Sequence, residues 1–327
     1  MTLVIAHRGA SGYRPEHSRS AYDLAIELGA DAIEPDLVPT KDGVLVLRHE
    51  NEVSGTTDVA DHAEFRHLRT TKTVDGQTLT GWFTEDFTWA QLQTLRTRER
   101  LPALRPGSAE HDGAQPILRF VDLLAILDAA PRPVGLVAEV KHATYFDSIG
   151  LPLGELLADE LRQRRWVDDP RLTIESFEQT VLGRLADQRL GARLVYLLER
   201  AGVAADLVAT GRTSVGYRDQ LHAESLESFV DAGLHGVSLD KHTLVDAQGA
   251  TDGRVVDRAH AAGLDVFTWT LRAENAFLAK AHRGPGGKAA FGDWQAEFTS
   301  LMALGVDGVF ADQPELAEEA RVAFASP

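Results

Sequence analysis

The sequence predicts a closed (β/α)8 barrel of the TIM type, with a small insertion subdomain following a hairpin at its second strand. Three observations predict it. Short apolar runs recur along the 327 residues, separated by longer segments of helical period. The runs are nearly continuous in apolar residues, as in strands of a parallel sheet buried on both faces. Seven of the eight runs end in a polar or ionisable residue, and the C-terminal strand ends are where such a barrel builds its site.

In order, the strand-like runs are 3–7, 32–37, 135–141, 172–177, 193–198, 236–240, 265–271 and 308–312, with VLVLRH at 44–49 set aside as an extra, hairpin-forming strand. Helical periodicity falls at 16–29, 120–129, 153–165, 178–190, 222–233, 253–263 and 293–304. An open doubly wound sheet is the competing arrangement. It would want a glycine fingerprint that opens a helix, but the glycines of HRGASGYRPE are followed by Pro15. Residues 51–118 break the alternation. They are polar, with one helical stretch at 88–98, yet hold Trp82, Phe83, Phe87 and Trp89. Disordered linkers lack such aromatics, so the segment is expected to pack over the barrel mouth as an insertion within a single domain spanning 1–327. The glycine-rich run RGPGGK at 283–288 reads as a loop on the rim.

Charge narrows the partners. With 33 basic and 49 acidic residues, the net charge is −16. Such a chain repels phosphate backbones and anionic lipid, which argues against nucleic-acid binding and stable membrane association. A single phosphate stays accessible if a divalent cation stands between. There is no cysteine, hence no disulfide, thiolate site or cysteine nucleophile. MTLVIAH is too short to be a signal peptide, so a cytoplasmic location is expected for the chain as given, with a processed exported form as the alternative, and no run of about 18 apolar residues exists to span a membrane. The sequence sets no expectation for oligomeric state.

The chemistry concentrates at the strand ends. Lys41-Asp42-Gly43 is a hairpin turn signal within IEPDLVPTKDGVLVLRHE at 33–50. A turn centred there places Glu34 opposite His49, with Asp36 on the same face as Glu34. Two such carboxylates repel unless a cation or proton neutralises them, and hard oxygen ligands favour Mg²⁺ or Ca²⁺. An exposed E-x-D pair on a strand edge needs no ion, so this pair does not decide alone. Glu139 adds an acid inside an apolar strand, with Lys141 two residues on. It is read as a third metal ligand with Lys141 facing a phosphate oxygen, against a purely structural Glu–Lys pair. His7 and Arg8 end the first run. Two histidines, His7 and His49, can share the base and acid roles of phosphodiester cleavage, and Arg8 can clamp phosphate oxygens.

HRGASGYRPEHS at 7–18, the 33–50 run, EVK at 139–141, ESF at 175–177 and FTWT at 267–270 together resemble the glycerophosphodiester phosphodiesterase family, in order and spacing, across essentially the whole chain. GTTDVAD at 55–61 and DFTWAQLQTL at 86–95 resemble its bacterial branch. The resemblance implies a TIM barrel, one divalent cation (Mg²⁺ or Ca²⁺), and hydrolysis of a small glycerophosphodiester to glycerol 3-phosphate and an alcohol. It implies catalytic roles for His7 and His49, metal ligation by Glu34, Asp36 and Glu139, and substrate contact by Arg8, Lys141, Phe177 and Trp269. Four positions depart from the family pattern: His17-Ser18 in place of Asn-Thr, Glu50 in place of Asp, and Glu175 in place of Gln. His17 is expected to orient a loop rather than act as a third catalytic histidine. Two alternatives stand beside this expectation: a phospholipase D-like or sphingomyelinase-like lipid phosphodiesterase, and a non-catalytic phosphodiester-binding barrel.

Overall fold

The computed structural model describes residues 1–325. Its strands are β1 (Leu3–His7), β2 (Ala32–Glu34), β3 (Asp36–Pro39), β4 (Leu45–Leu47), β5 (Thr70–Val74), β6 (Gln77–Gly81), β7 (Gly135–Val140), β8 (Leu172–Ser176), β9 (Arg193–Leu198), β10 (Gly236–Asp240), β11 (Asp265–Leu271) and β12 (Gly308–Ala311). The sheet runs β2-β1-β12-β11-β10-β9-β8-β7, and β7 pairs back to β2, closing an eight-position parallel barrel. Helices at Arg19–Glu27, Phe120–Asp128, Leu153–Arg164, Gln179–Asp187, Ala223–Asp231, Arg254–Ala262 and Trp294–Met302 lie within the expected periodic segments, and Pro314–Ala325 adds an eighth. Their ends follow local chemistry. Ser18 accepts the Ala21 amide at the first helix, Asp293 caps the helix at 294, and Gly263 (φ +89°) ends the helix at 262 in the left-handed conformation.

The barrel interior explains where the polar residues go. Ile5, Ala32, Val137, Val195, Phe267 and Phe310 form one buried apolar plug inside the strands. Side chains two residues apart share a strand face. Stepping two residues toward the C-terminal rim from five plug members reaches His7, Glu34, Glu139, Trp269 and Asp312. The polar layer therefore stands directly on the apolar one.

The second barrel position is forked. Pro35 has no amide hydrogen to donate to a ladder, and the strand divides around it. β2 pairs with β1, with Glu34 opposite His7, while β3 pairs with β7, with Asp36 opposite Glu139. The β3–β4 hairpin also closes one residue away from the expected register: Leu37 faces Leu47, Val38 faces Val46 and Pro39 faces Leu45. Glu34 is thus not opposite His49; the Arg48 amide bonds the Asp36 carbonyl instead. The cause is the loop geometry, in which the Thr40 amide bonds the Val44 carbonyl across a turn holding Gly43 at φ +77°.

Residues 51–118 fold as short pieces. β5 and β6 form a hairpin turned by Asp75 (φ +46°) and Gly76 (φ +80°), the positive pair a tight primed turn requires. Phe65 stacks edge-on against Phe87 at 5.2 Å, and the Trp82 indole donates to the Phe65 carbonyl. Trp89 stands apart, half-buried with the Arg119 guanidinium over its ring. The helix expected at 88–98 shrinks to Trp89–Leu92. Arg96 and Thr97 are drawn instead into β-bridges with Pro116 and Thr57. Among the described residues, no helix is long and apolar enough to cross a membrane.

Candidate active site

A cavity of about 940 Å³ opens at the C-terminal rim of the barrel. His7, Arg8, Glu34, His49, Glu139, Lys141, Phe177 and Trp269 all line it. Asp36, the ninth residue singled out from the sequence, lies fully buried and holds Arg8, His17 and Lys141 around it.

The β1 end is shaped by backbone. Arg8 adopts φ +62°, and the following Gly9 sits at φ +84° with Ala21 so close that a Cβ would meet its backbone at 2.7 Å. This turn aims the Arg8 amide at Glu34 Oε2 (2.9 Å) and its guanidinium at Asp36 Oδ2 and Glu16 Oε2, both at 3.1 Å. His7 Nδ1 stands 2.6 Å from Asp312 Oδ1. Burial, and then the Arg8 charge, push the His7 imidazole down to about 3. Burial with Arg8 and Lys141 likewise lowers His49, to about 4. Both rings are therefore neutral near pH 7 in the free site.

Glu34, Asp36 and Glu139 each offer an oxygen to one point, with those atoms all within 4.8 Å of one another. Such crowding separates their protonation. Burial and Asp36 raise Glu34 well above the usual carboxylate range. Burial and Asp36 also push Glu139 up to about 8, against the pull of Lys141 Nζ at 2.9 Å. Asp36 stays well below its ordinary value despite burial, because Arg8 and Lys141 flank it. Glu34 Oε1 and Asp36 Oδ1 are buried without a hydrogen bond, as is Oε2 of neighbouring Glu175, while Glu139 Oε1 meets Lys141 Nζ at 2.9 Å. Buried oxygens left open are costly. A hard divalent cation suits this all-carboxylate set, so the residues fit the group that the sequence pattern implies.

The rings of Phe177 and Trp269 meet edge-on at 5.6 Å, and Lys141 Nζ lies 5.6 Å from the Phe177 centroid. Several further groups surround these residues. Asp312 is gripped by Arg105 and Arg272, with Arg105 also bonding Glu274. His17 bonds Asp36 at 3.0 Å and the Tyr22 hydroxyl at 2.8 Å. Glu50 lies between His49 and His142. The two-residue step from Phe310 was the signal for Asp312. Arg105, in the middle of an irregular insertion, has no such periodic signal.

A barrel whose catalytic-face rim gathers paired histidines, three converging carboxylates and two fixed cations belongs to the class of phosphoric diester hydrolases. The chain belongs to the glycerophosphoryl diester phosphodiesterase family, whose profile matches residues 7–316. It is 31% identical over 326 residues to a glycerophosphodiester phosphodiesterase of Arabidopsis thaliana, covering 94% of this chain and 82% of that protein. It is 41% identical over 97 residues to one from Haemophilus influenzae, a stretch covering 30% of this chain and 24% of that protein. Its fold is similar to that of an Oleispira antarctica phosphodiesterase solved in complex with the product sn-glycerol-3-phosphate. The TM-score is 0.66 at 18% identity, with 98% of this chain and 97% of that one covered.

Proposed function

We propose that this protein hydrolyses glycerophosphodiesters to sn-glycerol 3-phosphate and an alcohol, with His7 and His49 as acid–base pair and a divalent cation, Mg²⁺ or Ca²⁺, held by Glu34, Asp36 and Glu139. The observation that carries the reading is the convergence of the three carboxylates in a cavity lined by both histidines, Arg8 and Lys141. When bound, the cation supplies Lewis-acid polarisation of the phosphoryl group and charge neutralisation.

The chain's own residues do the rest. Arg8 and Lys141 bind the phosphoryl oxygens, and Phe177 with Trp269 walls the glycerol carbons. Asp312 accepts the Nδ1 hydrogen of His7 and leaves Nε2 with its lone pair, so His7 is the base. It takes the proton of the glycerol 2-hydroxyl as that oxygen forms its bond to phosphorus. The phosphorus–alcohol bond breaks, and protonated His49 delivers a proton to the departing oxygen. Arg8 and Lys141 otherwise depress His49; a bound phosphodiester anion offsets both charges, which raises its proton affinity when substrate is present. Water then opens the cyclic phosphate by the same steps reversed, with the two histidines exchanging roles.

The test is release of sn-glycerol 3-phosphate from a panel of glycerophosphodiesters, after chelation and readdition of Mg²⁺ or Ca²⁺. Cleavage that depends on an added cation supports the reading. No cleavage of any diester with either cation overturns it.

A further inference from the structure

We propose that Asp75 and His142 are positioning residues for His49, and that the β5–β6 hairpin is thereby part of the acid–base apparatus as well as a cover on the cavity. The inference rests on the role proposed above for His49.

Four side chains form one line. His49 Nδ1 lies 2.8 Å from Glu50 Oε1. The other oxygen of Glu50 lies 3.3 Å from His142 Nε2, and His142 Nδ1 lies 2.6 Å from Asp75 Oδ2. Asp75 is the turn residue of the hairpin, whose Val74, Gly76, Gln77 and Leu79 line the same cavity. The line therefore starts at the proposed acid and ends at the tip of a flap over the place where the leaving alcohol must sit.

Each link needs the next. His49 and Glu50 are neighbours in a bend that follows β4. With 43% of its side chain exposed, little packing keeps Glu50 against His49. His142 supplies the hold. It leaves β7 in the left-handed conformation (φ +50°, ψ +38°), uncommon for residues other than Gly although His adopts it more often than most. That turn carries its ring off the strand axis and between the two carboxylates. Strained backbone of this kind persists where its surroundings enforce it, and it clusters at functional sites.

The hairpin in turn needs His142. Only Val74 and Gly81 of its ten strand residues are buried, and an isolated two-stranded hairpin is marginal in water. Lys72, paired to Glu85 and Asp86, ties the middle of β5, while Asp75 ties the tip. Opening the tip would strip His142 of one carboxylate and loosen Glu50, so a displaced flap and a misplaced His49 are one event.

The experiment compares the wild type with Asp75→Ala, Asp75→Glu and His142→Asn. Three readouts are taken: steady-state kinetics, amide exchange over residues 70–81, and the ¹⁵N shifts of the His49 ring. The expected result is a kcat about tenfold lower in Asp75→Ala, with KM changed far less. Faster exchange of the hairpin, loss of the single Nδ1–H tautomer of His49, and partial recovery in Asp75→Glu accompany it. His142→Asn gives the same signature from the other side of the link. If the hairpin were a cover alone, Asp75→Ala would raise KM at constant kcat and leave the His49 shifts unmoved, and that result overturns the proposal. A wild type that cleaves no diester overturns the proposed function instead, while the His49 shifts still report whether the link exists.

Discussion

His7 and Asp312 stand 2.6 Å apart although 305 positions separate them in the chain. The first and last barrel strands pair in parallel, and the rim residue of each falls beside the other. The carboxylate fixes which imidazole nitrogen carries hydrogen, a role that an amide of the same shape fills poorly.

Asp312→Asn is therefore expected to lower kcat/KM by roughly 10²-fold or more, and His7→Ala or His49→Ala by about 10²–10⁴-fold. Cation binding, followed by calorimetry, should persist in all three variants. Loss of cation binding along with turnover would place these residues in the metal site instead.

The acidic cluster makes an opposite prediction for stability. Replacing Glu139 by Gln removes one of three crowded carboxylates, so the cation-free protein should melt at the same temperature or higher. Cation added at about 100 times its Kd should stabilise the wild type by about 2.7 kcal/mol and the variant far less. Thermal melts with and without chelator measure both. A wild type whose melting is indifferent to Mg²⁺ and Ca²⁺ would contradict ligation by this cluster.

Gly9 sets the β1 turn by the absence of a side chain. With φ +84° and Ala21 backbone 2.7 Å from the position of a Cβ, Gly9→Ala should cost roughly 2–4 kcal/mol in chemical unfolding. Activity should fall further than stability explains, since the same turn aims Arg8.

The flap has a pH limit. Burial opposes the charged form of His142, but the hydrogen bonds to Asp75 and Glu50 outweigh it and raise the ring to about 9. Lys141, adjacent in sequence, opposes that rise, and Glu178 faces Asp75 from the end of β8. A raised value means the tie is complete below the ordinary histidine range and is lost as pH climbs through about 9. A neutral ring can donate to only one of the two carboxylates. Amide exchange at 70–81, corrected for intrinsic rate, should accelerate above pH 9 in the wild type and show no such step in His142→Asn.

Much of this architecture was legible because it is periodic. The barrel strands announce themselves as apolar runs, and Glu34, Glu139, Trp269 and Asp312 continue an inward-facing series by steps of two. The hairpin register was not legible. One residue of slip is decided by the turn at Thr40–Val44 and by the break at Pro35, and no hydrophobic pattern distinguishes the two registers in a strand buried on both faces. The partners that the insertion sends to the barrel were also hidden. Arg105 reaching Asp312, and Asp75 reaching His142, depend on where an irregular chain returns, and nothing periodic marks such a return.

The pairing of the outermost strands has a consequence for synthesis. As the chain emerges from a ribosome, Asp312 follows His7 by 305 residues, roughly 15–60 s at ordinary elongation rates. Until then the imidazole has no carboxylate to orient it and the cylinder has no last stave. A nascent chain is expected to remain without hydrolytic power until Asp312 has emerged, and to gain it in one step thereafter.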